Sequence, residues 1–192
     1  MSHFFAYLSR MRLIQRWSLM FNIHQENVQE HSLQVCMIAH VLAIIHNRVY
    51  EGNISPEKVA LYAMYHDASE VITGDLPTPI KYHSPKIADA YKEIEEVAHQ
   101  RLMDMLPEKL QVDFQEIFFP QAEDETYWKF VKAADKISAY LKCLEELKAG
   151  NQEFSRAKNV IKQAIDDMDM PEVKYFMRNF TPSFKLTLDE LD

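Results

Sequence analysis

Apolar residues recur along this chain at the three- and four-residue steps of amphipathic helices, without convincing stretches of alternating apolar and polar residues. Asn-Gly and Asp-Gly pairs, which favour tight hairpins, do not occur. Ser55-Pro56 and Ser84-Pro85 each resemble a helix cap followed by a first helical residue. The pattern predicts an all-α protein of about six to seven helices, folded as one domain over residues 1–192. The predicted helices span roughly 4–20, 27–50, 56–73, 85–105, 107–118, 123–149 and 153–179.

Three of these helices carry histidine or aspartate side chains on or beside the apolar stripe. His31 fills the one remaining place on a stripe of aliphatic residues, and Asp67 lies on a second stripe with His66 beside it. Asp135 likewise has apolar neighbours on its own helix face. Burying a carboxylate is costly unless something compensates its charge, and a divalent metal would do so. Two imidazoles and two carboxylates suit Mn, Fe, Co, Ni or Zn without distinguishing among them.

Each of these side chains also has an ordinary structural interpretation. A single histidine is more often a satisfied core or surface residue than a ligand, and Asp135 alone fits a buried ion pair with a lysine or arginine. Three helices that each offer a ligand-type residue are harder to explain in this way. The other histidines of the chain fit no ligand scheme.

The composition of the chain argues against some classes of binding partner. Hydrophobic residues make up 47% and charged residues 26% of the chain, as in ordinary globular proteins. The net charge of −8 argues against a surface that coats nucleic acid or binds an anionic membrane. The longest apolar stretch is too short to span a bilayer, and the two cysteines form no C-x-x-C motif. We therefore expect a cytoplasmic protein without a membrane or a nucleic-acid polymer as partner.

The order His, His-Asp, Asp, each on a helix, resembles the HD-domain superfamily of metal-dependent phosphohydrolases. Within it, the chain is similar to the bacterial 5'-deoxynucleotidases of the YfbR type, from its first residues to Phe184. The segments that carry the likeness are Arg16-Trp17, Glu30-His31-Ser32-Leu33-Gln34-Val35, Tyr65-His66-Asp67-Ala68-Ser69-Glu70, Thr73-Gly74-Asp75-Leu76-Pro77-Thr78-Pro79 and Ala139-Tyr140-Leu141-Lys142-Cys143-Leu144-Glu145-Glu146-Leu147.

The resemblance implies a helical HD-domain fold around a central metal site. In that fold His31, His66, Asp67 and Asp135 would hold one divalent transition metal, such as cobalt or manganese. It implies hydrolysis of deoxyribonucleoside 5'-monophosphates to deoxyribonucleoside and phosphate with broad tolerance of the base, and it implies a homodimer.

Two acids are expected to take part in catalysis. Glu70 follows His66 by four residues, which on a continuous helix puts both side chains on one face. Glutamate is commonly exposed on surfaces, but the matching acid of the family is taken as catalytic, the role implied for Glu70. Asp75 would contact the sugar or assist the leaving oxygen, and the sequence leaves both roles open.

Substrate contacts are expected from a further set of residues. On sequence alone, Arg16-Trp17, at the end of the first predicted helix, is best interpreted as a surface arginine beside a core tryptophan. The resemblance implies that Arg16 orients the phosphate and that Trp17 excludes ribonucleotides by its bulk near C2'. It also implies substrate contacts for His66, Asp75, Leu76, Pro77, Thr78 and Asp135.

Two alternatives remain at this point. A related enzyme would cleave a triphosphate, a cyclic dinucleotide or a guanosine polyphosphate, although these substrates call for more cations than Arg16 and Lys81. A non-catalytic nucleotide sensor would use the metal only to tie helices together, but structural metal sites are usually closed and rich in thiolates.

Overall fold

The computed structural model describes residues 1–81 and 83–191, apart from the side chain of Thr78. Within these residues the chain is helical, and its β-type pairing is one isolated bridge between Gln15 and Asn27. The all-α prediction is confirmed. The α-helices are α1 (Phe4–Leu8), α2 (Val28–Val49), α3 (Pro56–Tyr65), α4 (Glu70–Thr73), α5 (Thr78–Lys81), α6 (Pro85–Asp104), α7 (Glu108–Phe118), α8 (Glu125–Lys148), α9 (Ser155–Asp167) and α10 (Pro171–Asn179). Short 3-10 helices span Ser9–Leu13, Ala122–Asp124, Gln152–Phe154, Thr181–Lys185 and Leu188–Glu190.

The chain divides into two compact units. The first comprises residues 1–20, 25–33 and 64–125, and the second comprises residues 21–24, 34–63 and 126–191. The assignment of residues 1–192 to a single domain stays a prediction.

The first unit is organised around α6, which packs against α1, α4, α5 and α7. Its core contains an aromatic cluster in which Phe4 and Tyr65 both lie edge-on to Phe114, with ring centroids 5.1 and 5.6 Å away. Edge-to-face contacts of this kind add to the free energy gained by burial. The cluster thus holds Tyr65, the last residue of α3, which directly precedes His66 and Asp67.

The second unit has its core between α8 and the helices around it. Trp128 stacks on the buried ring of Tyr62, with centroids 5.7 Å apart. The hydroxyl of Ser138 donates a hydrogen bond to Gln34, which joins α8 to α2. Val35 and Leu42, which belong to the apolar stripe of the second predicted helix, are fully buried here.

Long helices with uninterrupted patterns begin and end close to the predicted residues, whereas the expected helices over 4–20 and 153–179 are wrong. The first turns into a 3-10 helix and ends at Leu13. The second is interrupted before Pro171, because proline forces the preceding residue into extended backbone, and Met170 has φ −93° and ψ 123°.

One helix, Val28–Val49, is long and apolar enough to cross a membrane by length and composition. Half of its most apolar window is buried inside the protein, as in a core helix.

Candidate metal centre and active site

The first candidate ligand, His31, lies near the start of α2 and is completely buried. It lies on the buried face of this helix, at the position of the apolar stripe that the sequence predicts for it. Its Nε2 atom lies 3.5 Å from Asp67 Oδ2. A fully buried imidazole beside a carboxylate indicates a polar site inside the first unit.

His66 and Asp67 lie in a turn rather than on a continuous helix, so the expected helix over 56–73 is wrong at this point. The helix ends at Tyr65, and the backbone N–H groups of Ala68 and Glu70 bond to carbonyls three residues earlier. Adjacent residues of an α-helix point about 100° apart. The turn instead brings His66 Nε2 to 3.2 Å from Asp67 Oδ2.

The three side chains form a group with metal-ligand geometry. Ligand atoms of His31, His66 and Asp67 all lie within 4.8 Å of one another. Metal bonds of about 2.1 Å place neighbouring donor atoms about 3.0–3.4 Å apart, close to the two measured N–O distances. Two imidazole nitrogens and a carboxylate oxygen suit a divalent transition metal. The residues present therefore fit such an ion.

Arg16 and Trp17 lie beside this group, but not on a helix as expected. Arg16 Nη1 donates to Asp67 Oδ2 at 3.3 Å. The backbone N–H of Arg16 donates to the carbonyl of Glu26, and the N–H of Val28 donates to the carbonyl of Ile14. This non-local pairing replaces helical hydrogen bonds. Trp17 follows with φ +57°, a conformation that costs free energy in a bulky residue.

The electrostatics of Asp67 reflect its neighbours. Burial favours the neutral carboxyl, but the nearby charges of His66, His31 and Arg16 together outweigh burial and hold the pKa of Asp67 well below its usual range. Asp67 is therefore ionised at neutral pH, as a metal-binding carboxylate must be.

Glu70 is the first residue of α4 and is 8% exposed. Burial raises the pKa of Glu70 to about 9, and the charges of Asp67 and Asp75 act in the same direction. Among the residues that the structure describes, its Oε2 atom has no hydrogen-bond partner. The expectation that Glu70 shares a continuous helix face with His66 is wrong, because the turn separates them, but Glu70 is inside the protein and not an ordinary surface glutamate.

Asp75 lies in the connection after α4 and is half-buried. Gly74, with φ +74°, ends α4 in a backbone conformation that residues with a side chain rarely adopt. Burial raises the pKa of Asp75, and the positive charge of Arg16 acts against this effect. Leu76 and Pro77 are also half-buried in this connection, and the side chain of Thr78 lies outside what the structure describes.

Lys81, at the end of α5, is a cation that acts, like Arg16, on both Glu70 and Asp75. Its ammonium group bonds to Glu95 at 2.8 Å and lies 4.5 Å from the ring centre of Tyr91. Its charge lowers the pKa of both Glu70 and Asp75, although less than other groups raise it. The side chain therefore contributes positive potential around the two acids.

Asp135 lies in the middle of α8, in the second unit. Its carboxylate is partly exposed and lies 3.6 Å from the ammonium group of Lys136. Its assignment as a metal ligand and substrate contact stays a prediction.

Sequence reasoning missed Glu26. Its carboxylate accepts a hydrogen bond from Trp17 Nε1 and lies 3.6 Å from both Arg16 Nε and His31 Nδ1. An acid before a helix is common, because it stabilises the helix amino terminus, so a single sequence offers no signal that singles Glu26 out.

The family whose sequence model matches this chain is described as "5'-deoxynucleotidase YfbR-like", and the match covers residues 3–184. The chain belongs to this family. A relative from Yersinia pestis (strain Pestoides F), named 5'-deoxynucleotidase, is 59% identical over 191 residues, covering 100% of this chain and 97% of the relative. A relative of the same name from Yersinia pseudotuberculosis serotype O:3 (strain YPIII) is equally similar.

Solved structures show that this YfbR-like protein has the HD-domain phosphohydrolase fold. An HD-domain phosphohydrolase from Listeria innocua superposes with a TM-score of 0.80 at 23% identity, covering 95% of this chain and 88% of the other. The HD phosphohydrolase of cyanophage S-2L, solved with dA and one catalytic Zn²⁺, superposes with a TM-score of 0.67 at 18% identity, covering 95% and 97%. At these identities the likeness concerns the fold.

Proposed function

We propose that this protein is a metal-dependent 5'-deoxynucleotidase that hydrolyses deoxyribonucleoside 5'-monophosphates to deoxyribonucleoside and phosphate. The observation that carries the proposal is the convergence of His31, His66 and Asp67, with Arg16 bonded to Asp67 and Glu70 buried nearby. Membership of the YfbR-like family and the names of its Yersinia members support the same activity. We also propose broad tolerance of the base.

His31, His66 and Asp67 would hold one divalent metal, with Asp135 as the fourth protein ligand. Such an ion acts as a Lewis acid on a phosphoryl oxygen and lowers the pKa of a bound water. The Zn²⁺ of the cyanophage protein supports a transition metal, and cobalt and manganese remain our proposed ions.

The chain's own residues would do the remaining work. Arg16 would donate hydrogen bonds to the phosphate, an anion for which a guanidinium is well suited. Glu70 would take the proton of the attacking water, and Asp75 would contact the sugar or assist the leaving oxygen. Trp17 would close the sugar pocket next to C2'. His66, Leu76, Pro77, Thr78 and Asp135 are proposed as further substrate contacts.

A survey of products tests the proposed reaction. The protein is incubated with dAMP and, separately, with dATP, and the products are separated by chromatography. We expect deoxyadenosine and phosphate from dAMP, with little release of pyrophosphate or triphosphate from dATP. The opposite preference would assign the protein to another branch of HD phosphohydrolases, and binding without any product would assign it a sensor role.

We also propose a cytoplasmic homodimer without a membrane or a nucleic-acid polymer as partner. Three apolar side chains, Leu33, Met37 and Ile44, are exposed along one face of α2. Sedimentation equilibrium is expected to give the mass of a dimer, and Met37→Glu should shift it towards a monomer. A monomeric wild-type protein would contradict the dimer.

A further inference from the structure

Glu26 contacts three residues that have proposed roles in the site. Its two carboxylate oxygens lie within 3.6 Å of donor atoms on Trp17, Arg16 and His31. The side chain is 13% exposed, so these contacts lie in a largely dry environment. We infer that Glu26 is a positioning residue that sets both the selectivity for deoxyribose and the affinity for the metal, an inference that rests on the proposed function.

One carboxylate oxygen of Glu26, Oε2, contacts the two residues that we propose to bind the substrate, Trp17 and Arg16. It accepts the indole N–H of Trp17 at 3.2 Å and lies 3.6 Å from Arg16 Nε. Nη1 of the same guanidinium donates a hydrogen bond to Asp67, so the two acids lie beside different nitrogens of the guanidinium. A residue with a strained backbone persists only where its surroundings hold it, and the hydrogen bond that Trp17 donates to Glu26 is such a restraint.

The other oxygen of Glu26, Oε1, lies beside the proposed metal ligand His31. It lies 3.6 Å from His31 Nδ1, while Nε2 of the same ring points at Asp67. A carboxylate beside Nδ1 favours the tautomer with its proton on Nδ1, which leaves the lone pair of Nε2 for a metal. One side chain therefore links the proposed metal ligand to the proposed sugar wall.

The local backbone makes this arrangement rigid. The carbonyl of Glu26 accepts the N–H of Arg16, and the next pairing in this ladder joins Val28 to Ile14. These backbone hydrogen bonds hold the segment that carries Glu26 against the segment that carries Arg16 and Trp17. A role limited to holding the loop would use the backbone alone, whereas a positioning role needs the carboxylate.

Two variants separate the effects of the two oxygens. In Glu26→Gln the amide oxygen still accepts from Trp17 Nε1, but its NH₂ group cannot accept a proton from His31 Nδ1. In Glu26→Ala both contacts are lost. Glu30→Ala is the matched control, because Glu30 is an exposed acid four residues later whose carboxylate accepts the N–H of Asn27.

The measurements are the ratio of kcat/KM for dAMP to that for AMP, and the affinity for Mn²⁺ in a titration of stripped protein. We expect Glu26→Ala to lower the ratio at least about tenfold and the affinity by about 10- to 100-fold. Glu26→Gln should lower the affinity while largely keeping the ratio, and Glu30→Ala should keep both. An unchanged ratio and affinity in Glu26→Ala would overturn the inference, as would an equal loss of the ratio in Glu26→Gln and Glu26→Ala.

A fluorescence arm keeps this test separate from the proposed function. In a Trp128→Phe background Trp17 is the one remaining tryptophan. Adding Glu26→Ala should increase quenching of its emission by acrylamide, because the indole loses its restraint, whereas adding Glu30→Ala should not. Absence of phosphate release from dAMP by the wild-type protein would overturn the proposed function, and unchanged quenching would overturn the positioning role of Glu26.

Discussion

Glu70 is a buried carboxyl group whose pKa lies far from its ordinary value because of its surroundings. Burial and the charges of Asp67 and Asp75 all favour its neutral form, with Arg16 and Lys81 opposing them. A divalent cation near Asp67 would add positive potential and lower this pKa towards neutrality. A general base works best with a pKa near the working pH. With such a cation bound, these surroundings would suit the role of proton acceptor that we propose for Glu70.

Replacing Glu70 by glutamine is expected to lower kcat by about 10²- to 10⁴-fold, since glutamine cannot take a proton. Metal content and the circular dichroism spectrum should stay unchanged. Glu57→Gln is the matched control, because Glu57 is an exposed acid in the first turn of α3. Normal turnover by Glu70→Gln would remove Glu70 from the mechanism.

Asp135 is proposed as the fourth metal ligand. Loss of a direct ligand should weaken metal binding by at least about 100-fold, because changes in more distant groups already cost 10- to 100-fold. We expect Asp135→Asn to fold but to bind little metal in an elemental analysis, with phosphate release lost in parallel. Glu145→Gln, exposed on the same helix, is the control. Full occupancy in folded Asp135→Asn would place the fourth ligand elsewhere.

Trp17 is proposed to exclude the 2'-hydroxyl by its bulk. Trp17→Ala is therefore expected to lower the preference for dAMP over AMP by roughly 10- to 100-fold, mainly by improving the rate with AMP. Trp17→Phe retains part of the bulk, so its preference for dAMP should lie between those of the wild-type protein and Trp17→Ala. If the ratio of kcat/KM values is the same in all three proteins, another residue sets the sugar preference.

Within the second unit, α8 anchors the segment Phe21–His24. Glu146 is fully buried and accepts hydrogen bonds from the N–H groups of Ile23 and His24, from the Asn151 side chain and from Lys142. Lys142 in turn donates to the carbonyl of His24. Buried charges are tolerated when their hydrogen-bonding capacity is satisfied in this way.

This anchor makes the protein sensitive to acid. Burial alone would raise the pKa of Glu146, but its hydrogen bonds from Lys142, Ile23, Asn151 and His24 outweigh burial and lower the pKa to about 2. A depressed carboxyl pKa stabilises the fold above the unfolded-state pKa of about 4.5 and ceases to do so as the pH falls to about 2. We expect Glu146→Gln to lower the free energy of unfolding by roughly 2–4 kcal/mol at pH 7.

Urea unfolding at several pH values checks this expectation. The difference between the wild-type protein and Glu146→Gln should shrink between pH 4.5 and 2, as the wild-type carboxylate takes up a proton. A difference that does not depend on pH would show that lost packing, and not ionisation, accounts for the effect.

The elements also show which parts of the fold can be predicted from sequence. Long helices with a continuous stripe, such as α6 and α8, follow from local periodicity, and Ser84 caps α6 as expected. The break at residues 66–69 does not follow from periodicity, because contacts of Asp67 with His31 and Arg16 accompany the turn. The non-helical backbone of Arg16 cannot be predicted from local periodicity either, since the residue that accepts its N–H, Glu26, is ten residues away.

The charge of the whole protein favours a substrate with few phosphate groups. The net charge is −8, and Arg16 and Lys81 both lower the pKa of each proposed catalytic acid. A monophosphate needs fewer positive partners than a triphosphate or a cyclic dinucleotide. The family match over residues 3–184 is consistent with this limit, because it concerns enzymes named for a deoxynucleotide.

We propose that a metal at this site enables hydrolysis of a deoxyribonucleoside 5'-monophosphate. The most direct measurement is phosphate release from dAMP and AMP by protein stripped with a chelator and resupplied with Mn²⁺, Co²⁺, Mg²⁺ or Zn²⁺. We predict no release by the stripped protein and recovery with a transition metal, with dAMP cleaved much faster than AMP. Equal rates with dAMP and AMP would contradict the sugar selectivity, and full activity without metal or no activity with any metal would contradict metal-dependent hydrolysis at this site.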